Sequence, residues 1–129
     1  MENNWRNKTI EALEKQPYGD PITAPTGLVR RCLEYVKVPV GDLEIEQIRT
    51  LVSQQIGLVY LIPMALEFLD KDILAEGDLY PGDLLESVIK IDAAFWKANG
   101  ILYNQLRAVL KSGRQRLEQQ GLKVILPKP

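Results

Sequence analysis

GLVYLIPMALEFL, Gly57 to Leu69, is apolar on nearly every side of a helical wheel, with Glu67 its one charged residue. A run of that kind belongs to an element surrounded by others, so it is expected to form the central core helix. Pro63 is expected in the first helical turn of that element, where its missing N–H costs little, rather than as a kink in a longer helix. Upstream, about Ile45 to Gln55, Ile45, Ile48, Leu51 and Val52 form a buried stripe, and Glu46, Arg49, Thr50 and Ser53 form the wet face. Gly57 is placed to end that helix in the left-handed conformation.

Moving outward, about Thr26 to Lys37 reads as a helix with Leu28, Cys32, Tyr35 and Val36 inward and Arg30, Arg31 and Glu34 outward. A first helix, about Asn4 to Lys15, places Ile10 and Leu13 on one side and stops before Pro17. Pro17 to Pro25 is a proline-rich connection. Beyond the central run, about Pro81 to Ile91 offers Leu84, Leu85, Val88 and Ile89 as an apolar stripe. A last long helix, about Gly100 to Gln119, starts at Asn99 and is stopped by Gly121. The tail LKVILPKP reads as a short extended segment lying on the bundle. The expected architecture is all-α, a single-domain bundle of five to six helices over residues 1–129.

Composition narrows the function. A formal net charge of -1 argues against a general nucleic-acid binder. There is no histidine, which removes the commonest general base, any Ser-His or Cys-His nucleophile pair and the usual zinc ligand. Cys32 is the sole cysteine and sits on a helical stripe, so it reads as a buried structural thiol in a reducing compartment. The polar start MENNWRNKTIEAL has no secretory signature, and no apolar run is long enough to cross a bilayer. A cytoplasmic protein is expected.

AEGDLYPGDLLES, Ala75 to Ser87, carries two Gly-Asp pairs around a Tyr-Pro step. A calcium loop requires oxygen ligands at positions one, three and five and a glycine at six. Neither Asp70 nor Asp78 starts such a pattern. Paired-carboxylate catalysis by Asp78 and Asp83 requires a concave pocket and one raised pKa. A helix-start device explains more of the residues. Pro81 suits the first helical position, and Asp83 lies in the first turn, where the macrodipole favours an anion.

The pieces LVRRCLEYV, LEIEQIRTLVSQQIGLVYLIPMALEFL and AEGDLYPGDLLESV, in that order and spacing, resemble a family of immunity proteins of bacterial contact-dependent growth inhibition. The resemblance covers about Leu28 to Val88, through R-C, I-R-x-L-x-x-Q-x-I-G-L-x-Y-L-I-P and E-G-D-x-Y-P-G-D-L-L. It implies a small cytoplasmic protein that pairs with the C-terminal toxin domain of a CdiA-type surface protein and neutralises it. Such toxin domains are often nucleases.

Charge is distributed unevenly. From Glu67 to Glu86 seven acidic residues stand against one lysine, and from Lys97 onward seven basic residues stand against Glu118 alone. An acidic ridge suits a protein that plugs a basic cleft, although most charge runs are simply solvated faces. The candidate partner-binding residues are Asp70, Asp72, Glu76, Asp78, Tyr80, Asp83 and Glu86. No catalytic residue, cofactor or metal is expected. Phe68 and Trp96 read as core aromatics, and Tyr18 as a loop aromatic. Arg107, Lys111 and Arg114 form a basic stripe on the last helix, the basis of the alternative reading as a nucleic-acid-binding regulator. A carboxylate-dependent hydrolase or metalloenzyme centred on Asp78 and Asp83 is the third class.

Overall fold

The 57–69 run is the core helix its composition demands. In the computed structural model, which describes residues 4–128, α4 spans Leu58–Lys71 and buries Leu61, Ile62, Met64, Ala65, Leu66 and Leu69. Around it lie α1 (Ile10–Glu14), α2 (Gly27–Tyr35), α3 (Ile45–Ser53), α5 (Asp83–Ile89), α6 (Ala93–Ala98) and α7 (Gly100–Gln119). Three 3-10 turns, at Trp5–Asn7, Pro21–Thr23 and Val40–Asp42, lie between and before them. One continuous core runs from Ile10 through Val36, Ile48, Leu61 and Leu84 to Leu106. The largest packing faces join α3 to α5 and α4 to α7, and α4 also packs on α3 and α5. The fold is all-α, and the described residues contain seven α-helices and no strand.

Pro63 departs from expectation, because it lies inside α4 rather than in its first turn. The carbonyl left without its helical donor is that of Val59, a residue 41% exposed, so the defect lies on the solvent side of the helix, where it costs less than in the core. The six side chains buried along the same helix outweigh the defect.

The role of Gly57 also differs. α3 is ended two residues earlier by Gln55, at φ 56, with Ile56 N–H donating to the Leu51 carbonyl (3.0 Å) and Gln55 N–H to the Val52 carbonyl (2.9 Å). Gly57, at φ 62, instead starts α4. A Cβ there would stand 2.7 Å from Cδ1 of Ile10 and 3.2 Å from its two γ carbons, and Ile10 is fully buried. Gly57→Ala is therefore expected to destabilise by about 1–3 kcal/mol, combining left-handed strain with displacement of Ile10. A urea unfolding midpoint equal to wild type would refute this.

The expected first helix is broken. Thr9 caps α1 with its hydroxyl, accepting from Ala12 N–H at 3.1 Å, and its backbone is extended and bridged to Pro39. Val40 N–H donates to the Lys8 carbonyl at 2.9 Å, a long-range bond that a continuous helix would forbid. α6 has no counterpart in the sequence expectation. It is six residues long and buries only Trp96, too little to set up a period. Cys32 is 6% exposed, and burial pushes its thiol up, as expected of a structural cysteine.

α7 keeps the boundaries expected of it, and after Gly121 the chain reverses and runs back along it. Val124 and Leu126 pack on the core, while the Tyr103 hydroxyl donates to the Pro127 carbonyl at 2.7 Å. The extended tail is thereby laid on the bundle.

Candidate functional site

Tyr80-Pro81-Gly82-Asp83 forms a tight turn closed by Asp83 N–H donating to the Tyr80 carbonyl at 3.0 Å. Pro81 sits at its second position and Gly82, at φ 91 and ψ 0, at its third, the arrangement of a type II turn. Gly82 thus precedes α5 and Asp83 is its first residue, so Pro81 lies before the helix and not at its first position.

Asp83 is 2% exposed. Its Oδ1 accepts from Gly77 N–H at 2.7 Å and its Oδ2 from Leu79 N–H at 3.0 Å, so the loop folds over its own carboxylate. From α3, Glu46 completes the clip. Its Oε1 accepts from Arg49 Nε at 2.6 Å and from Asp78 N–H at 2.9 Å, and its Oε2 from Arg49 Nη2 at 2.5 Å and the Thr50 hydroxyl at 3.2 Å. Arg49 Nε also lies 3.8 Å from Asp83 Oδ2, joining the two carboxylates through one guanidinium. The Arg49 fork is the main reason the Glu46 carboxyl is held down at about 2, with the Asp78 N–H and Thr50 hydroxyl adding to it against burial. Gly77 is required here, because a Cβ would stand 2.4 Å from Glu46 Oε1 and 3.3 Å from its Cα.

Sequence periodicity placed Glu46, Arg49 and Thr50 on a wet face, and that expectation is corrected. Thr50 is 3% exposed, and the side chains of Arg49 and Glu46 are 17% and 23% exposed. The i, i+3 spacing of Glu46 and Arg49 was the available signal, but it is shared by any solvated helical pair.

The seven candidate partner-binding residues divide. Asp83 is withdrawn from the surface by burial, with both oxygens engaged in its own loop. Asp72 pairs with Arg116 at 2.8 Å and accepts from Leu74 N–H at 3.0 Å, pinning the end of α4 to α7. Glu86 is held by the Tyr80 hydroxyl and by Lys90 at 2.6 Å. Tyr80 is 42% exposed. Asp70, Glu76 and Asp78 are exposed, and among the described residues their carboxylates have no ion-pair partner. The ridge is therefore three free charges set among committed ones. Among the described residues no three His, Cys, Asp or Glu side chains group so as to hold a metal ion.

Beside the clip lies a groove of about 430 Å³ lined by Leu43, Glu44, Ile45, Glu46, Phe68, Glu76, Gly77 and Asp78. Leu43 is buried, Ile45 and Phe68 are half-buried, and Glu44, Glu76 and Asp78 are exposed, so an apolar floor meets an acidic rim. Elsewhere, exposed Arg107, Lys111 and Arg114 line an open groove of about 580 Å³ on α7, with Leu126 of the tail opposite them. Trp96 is a core residue, 5.2 Å from the ring of Phe95 and 6.0 Å from that of Tyr103. Tyr18 is half-buried, with its hydroxyl on Glu14, and burial followed by that carboxylate pushes it up to about 12.

Compared with known proteins, the family model described as CDI immunity proteins matches residues 12–106. No curated protein and no solved structure matches the chain. The matched span contains the clip and the acid-rimmed groove, whereas the basic stripe from Arg107 to Arg114 lies outside it. No helix among the described residues is long and apolar enough to cross a membrane.

Proposed function

Since the chain belongs to the CDI immunity protein family, we propose that it binds the toxin domain at the C-terminus of a CdiA-type effector, one to one, in the cytoplasm. It blocks that domain, a nuclease in this reading, by covering the active site or the substrate-binding surface. It performs no chemistry of its own. The observation that carries the negative-face-first docking is the set of exposed, unpaired carboxylates of Asp70, Glu76 and Asp78 within the family span. An excess of unneutralised carboxylate raises the association rate with a basic nuclease surface and rejects acidic partners.

Co-expression with the product of the adjacent upstream gene tests this directly. The expected result is a stoichiometric complex that survives affinity purification and a rescue of growth inhibition by the toxin domain alone. Absence of both would remove the reading.

Nucleic-acid binding by α7 draws on Arg107, Lys111 and Arg114, which are exposed and have no ion-pair partner among the described residues. Three cations neutralise about three phosphates, giving a salt slope of only about −2.7. The free protein is expected to leave a nucleic-acid column at low salt. Firm retention that is lost in the Arg107, Lys111 and Arg114 glutamine variant would favour the alternative.

A further inference from the structure

The acid-rimmed groove has a shape and a charge that select one kind of occupant. Resting on the toxin-binding reading above, we propose that it receives an arginine side chain on a basic segment of the toxin domain, stem along Leu43, Ile45 and Phe68, guanidinium among Glu44, Glu76 and Asp78. The floor is apolar and therefore favours methylenes. A purely apolar occupant would cover the rim carboxylates without countercharge, which is costly. An acidic occupant would be repelled. A long side chain with an aliphatic stem and a cationic head satisfies both halves of the groove at once.

The spread of the rim carboxylates favours arginine over lysine. The rim presents carboxylates from two elements, Glu44 at the start of α3 and Glu76 and Asp78 in the loop, and a planar fork with five donors reaches several of them. Glu46 also lies in the lining but is already engaged by Arg49, so the acceptors left to a partner are the three on the rim.

The groove is built before the partner arrives. Asp83 and Glu46 hold the backbone N–H groups of Gly77, Leu79 and Asp78. Glu44 N–H donates to the Gln47 side-chain oxygen at 2.8 Å, which holds the Glu44 backbone at the start of α3. Little backbone freedom is left to lose on binding, which favours affinity.

The test uses the full chain and the cognate toxin domain. E44Q/E76Q/D78N, isosteric at all three rim positions, is expected to bind roughly thirtyfold more weakly than wild type, with a shallower salt dependence. Glu118→Gln removes an exposed charge outside both the groove and the acidic ridge and is expected to change Kd less than about twofold. If the triple variant binds as wild type does, the groove is not the seat, while the toxin-binding reading survives. If Glu118→Gln weakens binding as much as the triple variant does per charge removed, a general field operates and the seat is likewise refuted. If wild-type protein and toxin fail to associate, the functional reading falls and takes this occupant with it. Should the triple variant melt early, the single variants E76Q and D78N, at positions whose side chains carry no described hydrogen bond, provide the same comparison.

Discussion

Asp83→Ala is expected to lower the unfolding free energy by about 3 kcal/mol, while Asp78→Asn leaves it within about 0.5 kcal/mol. The two residues belong to matching Gly-Asp pairs, yet one is 2% exposed and the other lies open to solvent. Removing the Asp83 carboxylate strips the acceptors from Gly77 and Leu79 N–H and takes one anion from the side of Arg49. Each charge-assisted bond contributes about 1.5–3 kcal/mol, and water entering at the exposed side of the loop recovers part of the loss. Loosening the loop also moves the groove rim, so Asp83→Ala should weaken toxin binding without any contact of its own. Asp78→Asn should do the reverse, with full stability and reduced affinity. Equilibrium urea unfolding of both variants, beside a toxin titration, separates the roles. Equal stability of the two would show that the clip contributes nothing to the fold.

Helices that bury several side chains each were legible from the sequence. α4 and α7 present long apolar patterns, and the i, i+3, i+4 signal there exceeds the noise of single residues. The position of Pro63 is not legible in the sequence, because the cost of its missing N–H depends on whether the acceptor faces solvent, and Val59 lies on the wet side. The break at Thr9 has no local signature, because it follows from the bond of Val40 N–H to the Lys8 carbonyl, 32 positions away. α6 had only Trp96 to announce it.

The candidate site was half legible for a related reason. The glycines, Pro81 and Asp83 announced a turn running into a helix, and that is what they build. Sequence could not show that the anion in the first turn faces inward and gathers the loop's own N–H groups. Nor could it show that Glu46 and Arg49, more than 25 positions upstream, close the clip. Charge counting treated the acidic residues from Glu67 to Glu86 as one ridge. Partner geometry divides them, because Asp72 and Glu86 already have cations at 2.8 and 2.6 Å and Asp83 is buried. What remains for a partner is a smaller set, together with Glu44, which the count left out.

The same clip predicts how the fold responds to acid. Glu46 has an ordinary value of 4.5 and is held at about 2 in the folded chain, chiefly by the Arg49 fork. A carboxyl with a lowered folded value is more protonated in the unfolded state, so its contribution is complete above pH 4.5 and disappears as pH falls towards 2. At about 1.36 kcal/mol per unit the ceiling is about 3.4 kcal/mol. Partial exposure of the pair brings the expected loss nearer 2 kcal/mol. Glu11, lowered mainly by Tyr18 N–H, and Glu86, lowered mainly by Lys90, add acid sensitivity of the same sign. The diagnostic comparison is therefore Glu46→Gln against wild type, unfolded by urea at a series of pH values between 7 and 2. Glu46→Gln should start lower at pH 7, because the Arg49 fork loses its anion, and then fall less steeply below pH 4.5 until the two curves approach. Parallel curves throughout would mean that Glu46 titrates alike in the folded and unfolded chains, and that the Arg49 contact does not bind the carboxylate in solution.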